Sequence, residues 1–288
     1  MLLLMSTVTI LLWKKGFATK EEEGFIFYSP SYDVNYKLDF GAKNVFISRQ
    51  GTDVLISLDS SNGSGIISKL SYYSGFFHLN IKLSPKDTAG VVTTFYMTSN
   101  EGDELDFEFL GNKEGKPIFL QTNIILNGTA GREERIRLWF DPTSSFHTYR
   151  ILWNSHQIVF YVDSIPIRVL KNLNDGQVRQ PTRAMKIKGN IWNGDSWATD
   201  GGMTKINWTH SPFEAKLRSF GIDGCSSASF SQWSCKATRL WWNRERYWKL
   251  SSDEEISYWN VRNQFMEYDY CTDKSRYLTP PPECFDSN

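Results

Sequence analysis

The chain carries no net charge, since 32 lysines and arginines balance 32 aspartates and glutamates. That absence removes the electrostatic case for nucleic acid or an anionic membrane surface as partner. No apolar run is long enough to cross a bilayer; LLLMSTVTILLW at residues 2–13 is too short. Cysteine is missing from the first 224 residues. The four present, Cys225, Cys235, Cys271 and Cys284, fit neither a zinc ribbon nor a CxxC redox spacing. Two disulfides are the simplest account, and pairing neighbours, Cys225 with Cys235 and Cys271 with Cys284, closes two compact loops. No βαβ pattern, internal repeat or phosphate-binding glycine loop is found, and no cofactor or metal is expected.

What the chain has in abundance is aromatic surface: 15% Phe, Trp and Tyr, including 11 tryptophans. A core can absorb these rings, and rings also stack on sugars. Residues 2–13 read as the hydrophobic part of a leader within residues 1–18, with Gly16 and Ala18 as small residues before a cleavage point. No basic residue precedes that run, and Lys14 and Lys15 follow it. Three sequons, at Asn62, Asn127 and Asn207, are candidate glycosylation sites. Leader, cysteines and sequons together predict secretion, with no membrane attachment once the leader is cleaved.

From about residue 24 to 220 the chain reads as short alternating runs broken by turn signals. VFISRQ (45–50), FFHLNIKLSP (76–85), VVTTFYM (91–97), IFLQTNIIL (118–126) and FHTYRILWNS (146–155) are examples. Period-2 alternation, β-branched and aromatic content and roughly ten-residue spacing predict an antiparallel β-sandwich or jelly roll. After Phe220 the character changes. Ser252-Asp253-Glu254-Glu255 suggests a capping box opening a helix that runs to about Glu267. Residues 221–288 therefore read as an extension packed on a sandwich domain at 24–220.

The stretch DELDFEFLG at 103–111 alternates acid with hydrophobe. Residues two apart share one face of a strand, so Glu104, Asp106 and Glu108 project together while Leu105, Phe107 and Phe109 enter the core. Four rises separate the glutamate Cα atoms by about 13 Å, and their side chains lean inward to bring the carboxyls roughly 5 to 6 Å apart. A retaining glycosidase needs about 5 to 5.5 Å. Crowded carboxylates repel, which raises at least one pKa and leaves a proton for general acid work. The same pattern also fits a solvated edge-strand face or a calcium site.

DELDFEFLG resembles the signature of the plant xyloglucan endotransglucosylase/hydrolases, in glycoside hydrolase family 16. The resemblance runs over about residues 25–285 and includes QTN (121–123), GREERIRLWFDPT (131–143), IWNGDSWATDGG (191–202) and YDYCTDKSRY with PPEC near the end. It implies a β-jelly roll with a long glucan cleft. It also implies Glu104 as nucleophile, Glu108 as acid/base and Asp106 as the residue orienting the nucleophile. Substrate contacts carried over by motif fall on Gln121, Thr122, Asn123, Gly131, Arg132, Glu133, Ser196, Trp197, Gly201 and Arg276. Amides and charged groups suit sugar hydroxyls, Trp197 offers a stacking plane, and Gly201 allows close backbone approach.

The implied reaction is a double displacement on the β-1,4-glucan backbone of xyloglucan, with a xyloglucan oligosaccharide or water as acceptor. The loop after Trp197, ATDGGMTKINW, looks short, as in members of that family that mostly transglycosylate, so the resemblance leans toward transfer over hydrolysis. The implied setting is the cell wall, and a monomer is expected. A mainly hydrolytic glucanase is one rival. A lectin-like binding protein is another, although a lectin has no use for three intact acids. Two departures stand out: Gly102 replaces the usual histidine, which is expected to alter the electrostatics at Glu104. In addition, Asn112-Lys113-Glu114 is no sequon, so Asn127 is the nearest.

Overall fold

The computed structural model describes residues 30–172 and 180–285; the leader expected over residues 1–18 lies outside them. Strands are numbered in chain order. One sheet runs β1 (Tyr36–Phe40), β4 (Ser64–Ser68), β13 (Lys186–Asn193), β6 (Val91–Thr98), β7 (Glu104–Leu110), β8 (Phe119–Ile125), β9 (Glu134–Arg137) and β16 (Met266–Asp269). The other runs β12 (Ile165–Lys171), β11 (Gln157–Val162), β10 (His147–Trp153), β5 (Tyr72–Lys82), β14 (Phe213–Arg218), β3 (Asp53–Leu58) and β2 (Val45–Ile47), with β15 (Ile222–Ser226) paired to β5. The paired strands are antiparallel, as the alternation requires. The expected all-β sandwich is what forms.

Facing side chains of the two sheets make the core. Phe107 stacks on Phe95 at 5.9 Å and meets Phe160 edge-on at 5.1 Å, while Phe109 meets Tyr149 at 4.6 Å. All five rings are excluded from water. Burying each such ring stabilises the fold by about 1.5–3 kcal/mol.

The outer faces of the two sheets differ. That of the second sheet is covered: Leu152, Val159 and Tyr161 pack under Trp242, Leu250, Tyr258 and the Cys225–Cys235 bridge. The second bridge joins Cys271 to Cys284. Both pairings are those expected. Among the described residues, the outer face of the first sheet is covered in part, by the loop carrying Trp197 and Ala198, and otherwise bears a pocket.

The helix spans Ser252–Phe265, two residues short of the expected end. Its capping box also sits one residue earlier than expected. The Ser251 hydroxyl accepts from Glu254 N, and Glu254 Oε2 accepts from Ser251 N at 2.8 Å. Ser252 and Glu255 had the same spacing, but Ser251 is the residue with extended backbone, which a cap needs. Met266 to Asp269 leave the helix to become β16, so backbone pairing with β9 ends it. Among the described residues, no helix is long and apolar enough to cross a membrane.

Candidate active site

Strand β7 lies fifth of eight in the open sheet, between β6 and β8. That excludes the edge-strand account of its acids. Register then builds the open face row by row, because residues directly opposite across antiparallel strands share a face. One row reads Lys188, Tyr96, Asp106, Asn123. The next reads Asn190, Thr94, Glu108, Gln121, Arg135. Beyond it comes an apolar row of Trp192, Val92, Leu110 and Phe119. On the other side, Glu104 stands opposite Thr98 and Ile125. Glu104, Asp106 and Glu108 line one pocket with Thr94, Tyr96, Asn190 and Trp192.

The three acids have different surroundings. Asp106 is buried, and its Oδ1 has no hydrogen-bond partner. Burial drives its pKa well above the usual carboxylate range. The charges of Glu104 and Glu108 and a hydrogen bond shared with Glu104 add to that, and Arg168 behind the sheet opposes it. Asp106 therefore holds its proton more tightly than an ordinary carboxyl. Glu108 is pushed up to about 7, chiefly by burial, with Glu104 and Glu133 adding to the rise. The Gln121 amide, donating to Glu108 Oε2 at 2.8 Å, and the Arg135 charge hold it from rising further. The site thus supplies a carboxyl that can hold and release a proton near neutrality. Among the described residues, no group of three or more His, Cys, Asp or Glu could hold a metal ion.

Of the other expected residues, Gln121 and Asn123 share the open face with the acids. Thr122 does not. It occupies a core-facing row with Phe95, Phe107 and Glu134, where its hydroxyl and carbonyl accept from the buried Arg168 of β12. Strand alternation forbids three consecutive residues from reaching one cleft. Trp197 packs beside Trp192, centroids 6.1 Å apart, on the apolar row at the Glu108 end. Ser196 is exposed on the same loop. Gly201 is explained by backbone conformation, φ +63°, with no atom within 4 Å of where a Cβ would stand. The tight approach is at Gly202, where a Cβ would stand 2.1 Å from Ser196 O.

Arg132, Glu133 and Arg276 are all engaged within the protein. Arg132 pairs with Glu283 and Glu133 pairs with Arg276. Neighbouring Glu134 binds Arg262 at 2.7 Å, and Arg262 also pairs with Asp269. Gly131 lies against Tyr277, whose hydroxyl donates to Gly131 O at 3.2 Å. These residues form the rim where β9 meets the C-terminal segment.

Gly102 has a backbone reason. Its φ is +89°, and a Cβ would stand 2.9 Å from Gly128 N. Asn62, Asn127 and Asn207 are all exposed. Thr94, Tyr96, Asn190, Trp192 and Arg135 were not singled out by sequence reasoning. The alternation of KIKGNIWN and VVTTFYM already put the first four on one face of their strands, but not beside β7.

An all-β sandwich that gathers three carboxyl groups in one pocket across the middle of a sheet fits the class of enzymes that act on glycosidic bonds. Residues 32–210 match the family described as Glycosyl hydrolases family 16, and residues 236–284 match Xyloglucan endo-transglycosylase (XET) C-terminus. The chain belongs to glycosyl hydrolase family 16. It is 51% identical over 257 residues to xyloglucan endotransglucosylase/hydrolase protein 2 of Arabidopsis thaliana, covering 88% of each chain. Protein 3 of that series in the same plant is 46% identical over 98% of each. Among solved structures, the apo Crh5 transglycosylase superposes with a TM-score of 0.54 over 69% of this chain and 82% of that one. It is 24% identical, so it speaks for the fold alone. The same holds for Bacillus licheniformis beta-glucanase, with a TM-score of 0.53 and 24% identity over 66% of this chain and 92% of that one.

Proposed function

We propose that this chain is a xyloglucan endotransglucosylase/hydrolase. It opens the β-1,4-glucan backbone of xyloglucan with retention and passes the glycosyl group to another xyloglucan chain or to water. The observation that carries this reading is the row of Glu104, Asp106 and Glu108 at the middle of the open sheet. Burial there pushes Glu108 up to about 7 and Asp106 well above the usual carboxylate range. The names of the relatives support the substrate, and the match to the XET C-terminus supports transfer.

Glu104 attacks the anomeric carbon, forming a covalent glycosyl-enzyme. Below about pH 7, Glu108 is mostly protonated and delivers its proton to the departing oxygen. Asp106, donating to Glu104, orients the nucleophile. Glu108, now ionised, takes a proton from the acceptor hydroxyl. Gln121 and Asn123 face the glucan from the next strand, and Trp192 and Trp197 offer ring faces to a sugar acceptor at the Glu108 end. An indole binds a sugar far better than water, so transfer competes with hydrolysis. The enzyme works outside the cell, in the wall, as a monomer, with Asn62, Asn127 and Asn207 open to glycosylation.

One assay tests the reading. Xyloglucan is incubated with a labelled xyloglucan oligosaccharide while label incorporation, viscosity and reducing ends are followed together. Label entering polymer with few new reducing ends is the expected result. A fall in viscosity matched by reducing ends alone marks a hydrolase, and binding without any product marks a lectin.

A further inference from the structure

Arg135, whose charge holds Glu108 from rising further, ends the row that contains Glu108. Its guanidinium donates to Gln121 Oε1 twice, from Nη2 at 2.9 Å and from Nε at 3.3 Å. Gln121 in turn donates from Nε2 to Glu108 Oε2 at 2.8 Å. An amide has one accepting and two donating corners, and a carboxyl facing it can meet either side. The planar fork of an arginine can only donate, so it claims the oxygen and leaves the NH₂ turned to Glu108.

We infer that Arg135 is a positioning residue: by fixing the Gln121 amide, it sets the pH at which Glu108 changes from proton donor to proton acceptor. The inference rests on Glu108 being the acid/base. An N–H aimed at a carboxylate stabilises its ionised form, whereas an amide oxygen stabilises the protonated form. Without Arg135 the amide is free to turn. Glu108 then loses an N–H donor and a nearby positive charge, and both losses make it hold its proton to higher pH. The Arg135 charge lowers the Glu108 pKa, so its loss acts in that direction.

Other charged or titratable groups face Glu108 as well, and none can replace the fork. Glu104 on β7 and Glu133 beside β9 are acids that push the opposite way, and Asp106 on β7, itself raised by burial, lines the same pocket. Tyr96 on β6 stands opposite Asp106, and Lys188 on β13 is paired with Asp39 at 2.9 Å. Tyr268 on β16 stands opposite Arg135, on the far side from Glu108. Arg135 is therefore the cation in hydrogen-bonded connection with Glu108 among the described residues.

The test is the pH dependence of kcat/KM for xyloglucan, at saturating labelled acceptor, in Arg135→Met, Arg135→Lys and Glu108→Gln. Removing the guanidinium should move the alkaline limb up by roughly half to one pH unit, as loss of one donor and one nearby charge implies. KM for the acceptor should stay within about threefold, the range of a residue that does not touch sugar. Lysine keeps the charge but not the fork, so it should restore only part of the shift. A rise in KM with the limb unmoved would make Arg135 a sugar contact, and an equal loss at every pH would make it structural. Either result overturns the inference, as does full restoration by lysine. Glu108→Gln separates the two levels: the limb must vanish there. If it persists, the assignment of Glu108 has failed rather than the relay. If it vanishes while Arg135→Met leaves it in place, only the relay has failed.

Discussion

The two faces of β7 are built from the same seven residues and obey opposite rules. On the inner face Leu105, Phe107 and Phe109 are fully enclosed among other rings. Even the charge that reaches this side, Arg168, is satisfied by Thr122 and by the carbonyl of Arg132, with Glu134 nearby. On the outer face three carboxyls are crowded together, one buried oxygen has no partner, and two of the acids titrate far above their ordinary range. Strong packing on one side lets the strand hold its backbone while the other side keeps groups that repel. Stability and reactivity are separated by the pleat of a single strand.

The sharpest way to break this contrast is to remove the reactive groups. Glu104→Gln and Glu108→Gln should each lower transfer by several orders of magnitude, equivalent to more than about 4 kcal/mol of transition-state stabilisation. Their melting temperatures should equal or exceed that of the parent, measured by calorimetry alongside label incorporation. Near-parental turnover in either variant would remove the carboxyl in question from the mechanism.

The converse change is Phe107→Ala, which touches no open-face atom. It should destabilise the fold by about 3–5 kcal/mol, because a cavity opens between Phe95, Tyr149 and Phe160. Well below its lowered melting point, kcat should change by less than tenfold. A collapse of kcat at full folding would show that the two faces are coupled.

A third test reads the outer face through stability. A carboxyl raised in the folded state binds its proton more tightly there than in the unfolded chain. Between its unfolded pKa, about 4.5, and its folded value, about 7, stability therefore falls as pH rises. Asp106, raised as well, contributes with the same sign. Denaturant titrations from pH 4 to 8 should show this decline, and Glu108→Gln should make it shallower. An unaltered slope would mean that Glu108 ionises normally in the fold.

The smallest expected effect concerns the apolar row. Trp197→Ala should raise the ratio of hydrolysis to transfer several-fold and raise the acceptor KM, with little change in formation of the glycosyl-enzyme. Equal falls in both reactions would make Trp197 a scaffold or donor-side residue.

Much of this was legible in the chain. Period-2 alternation located most strands and separated the acids from the rings on β7, and the cysteine spacing yielded both bridges. What stayed hidden is non-local. Nothing near Glu104–Glu108 tells that β6 and β8 are its neighbours, so Tyr96, Asn190 and Arg135 could not be brought to the site. Thr122 shows the reverse error: a motif was carried over whole where alternation turns its middle residue into the core. The capping box slipped by one because Ser251 and Ser252 have the same spacing to an acid, and only backbone conformation separates them.

The last piece of the open sheet is also the last to be made. Strand β16 covers the outer edge of β9, and Arg132, Glu133 and Glu134 are each held by residues between Arg262 and Glu283. As a ribosome delivers the chain in order, the acids of β7 emerge well before the residues that clamp the rim beside them. Until then β9 presents an unpaired edge, the kind of backbone that recruits other strands. Short, acid-bearing β16 closes it with a strand that itself discourages further pairing. The nascent chain therefore carries its three crowded carboxyls for some time before it owns a finished rim, and a chain stopped before Met266 would have those carboxyls with an adhesive edge in place of a rim.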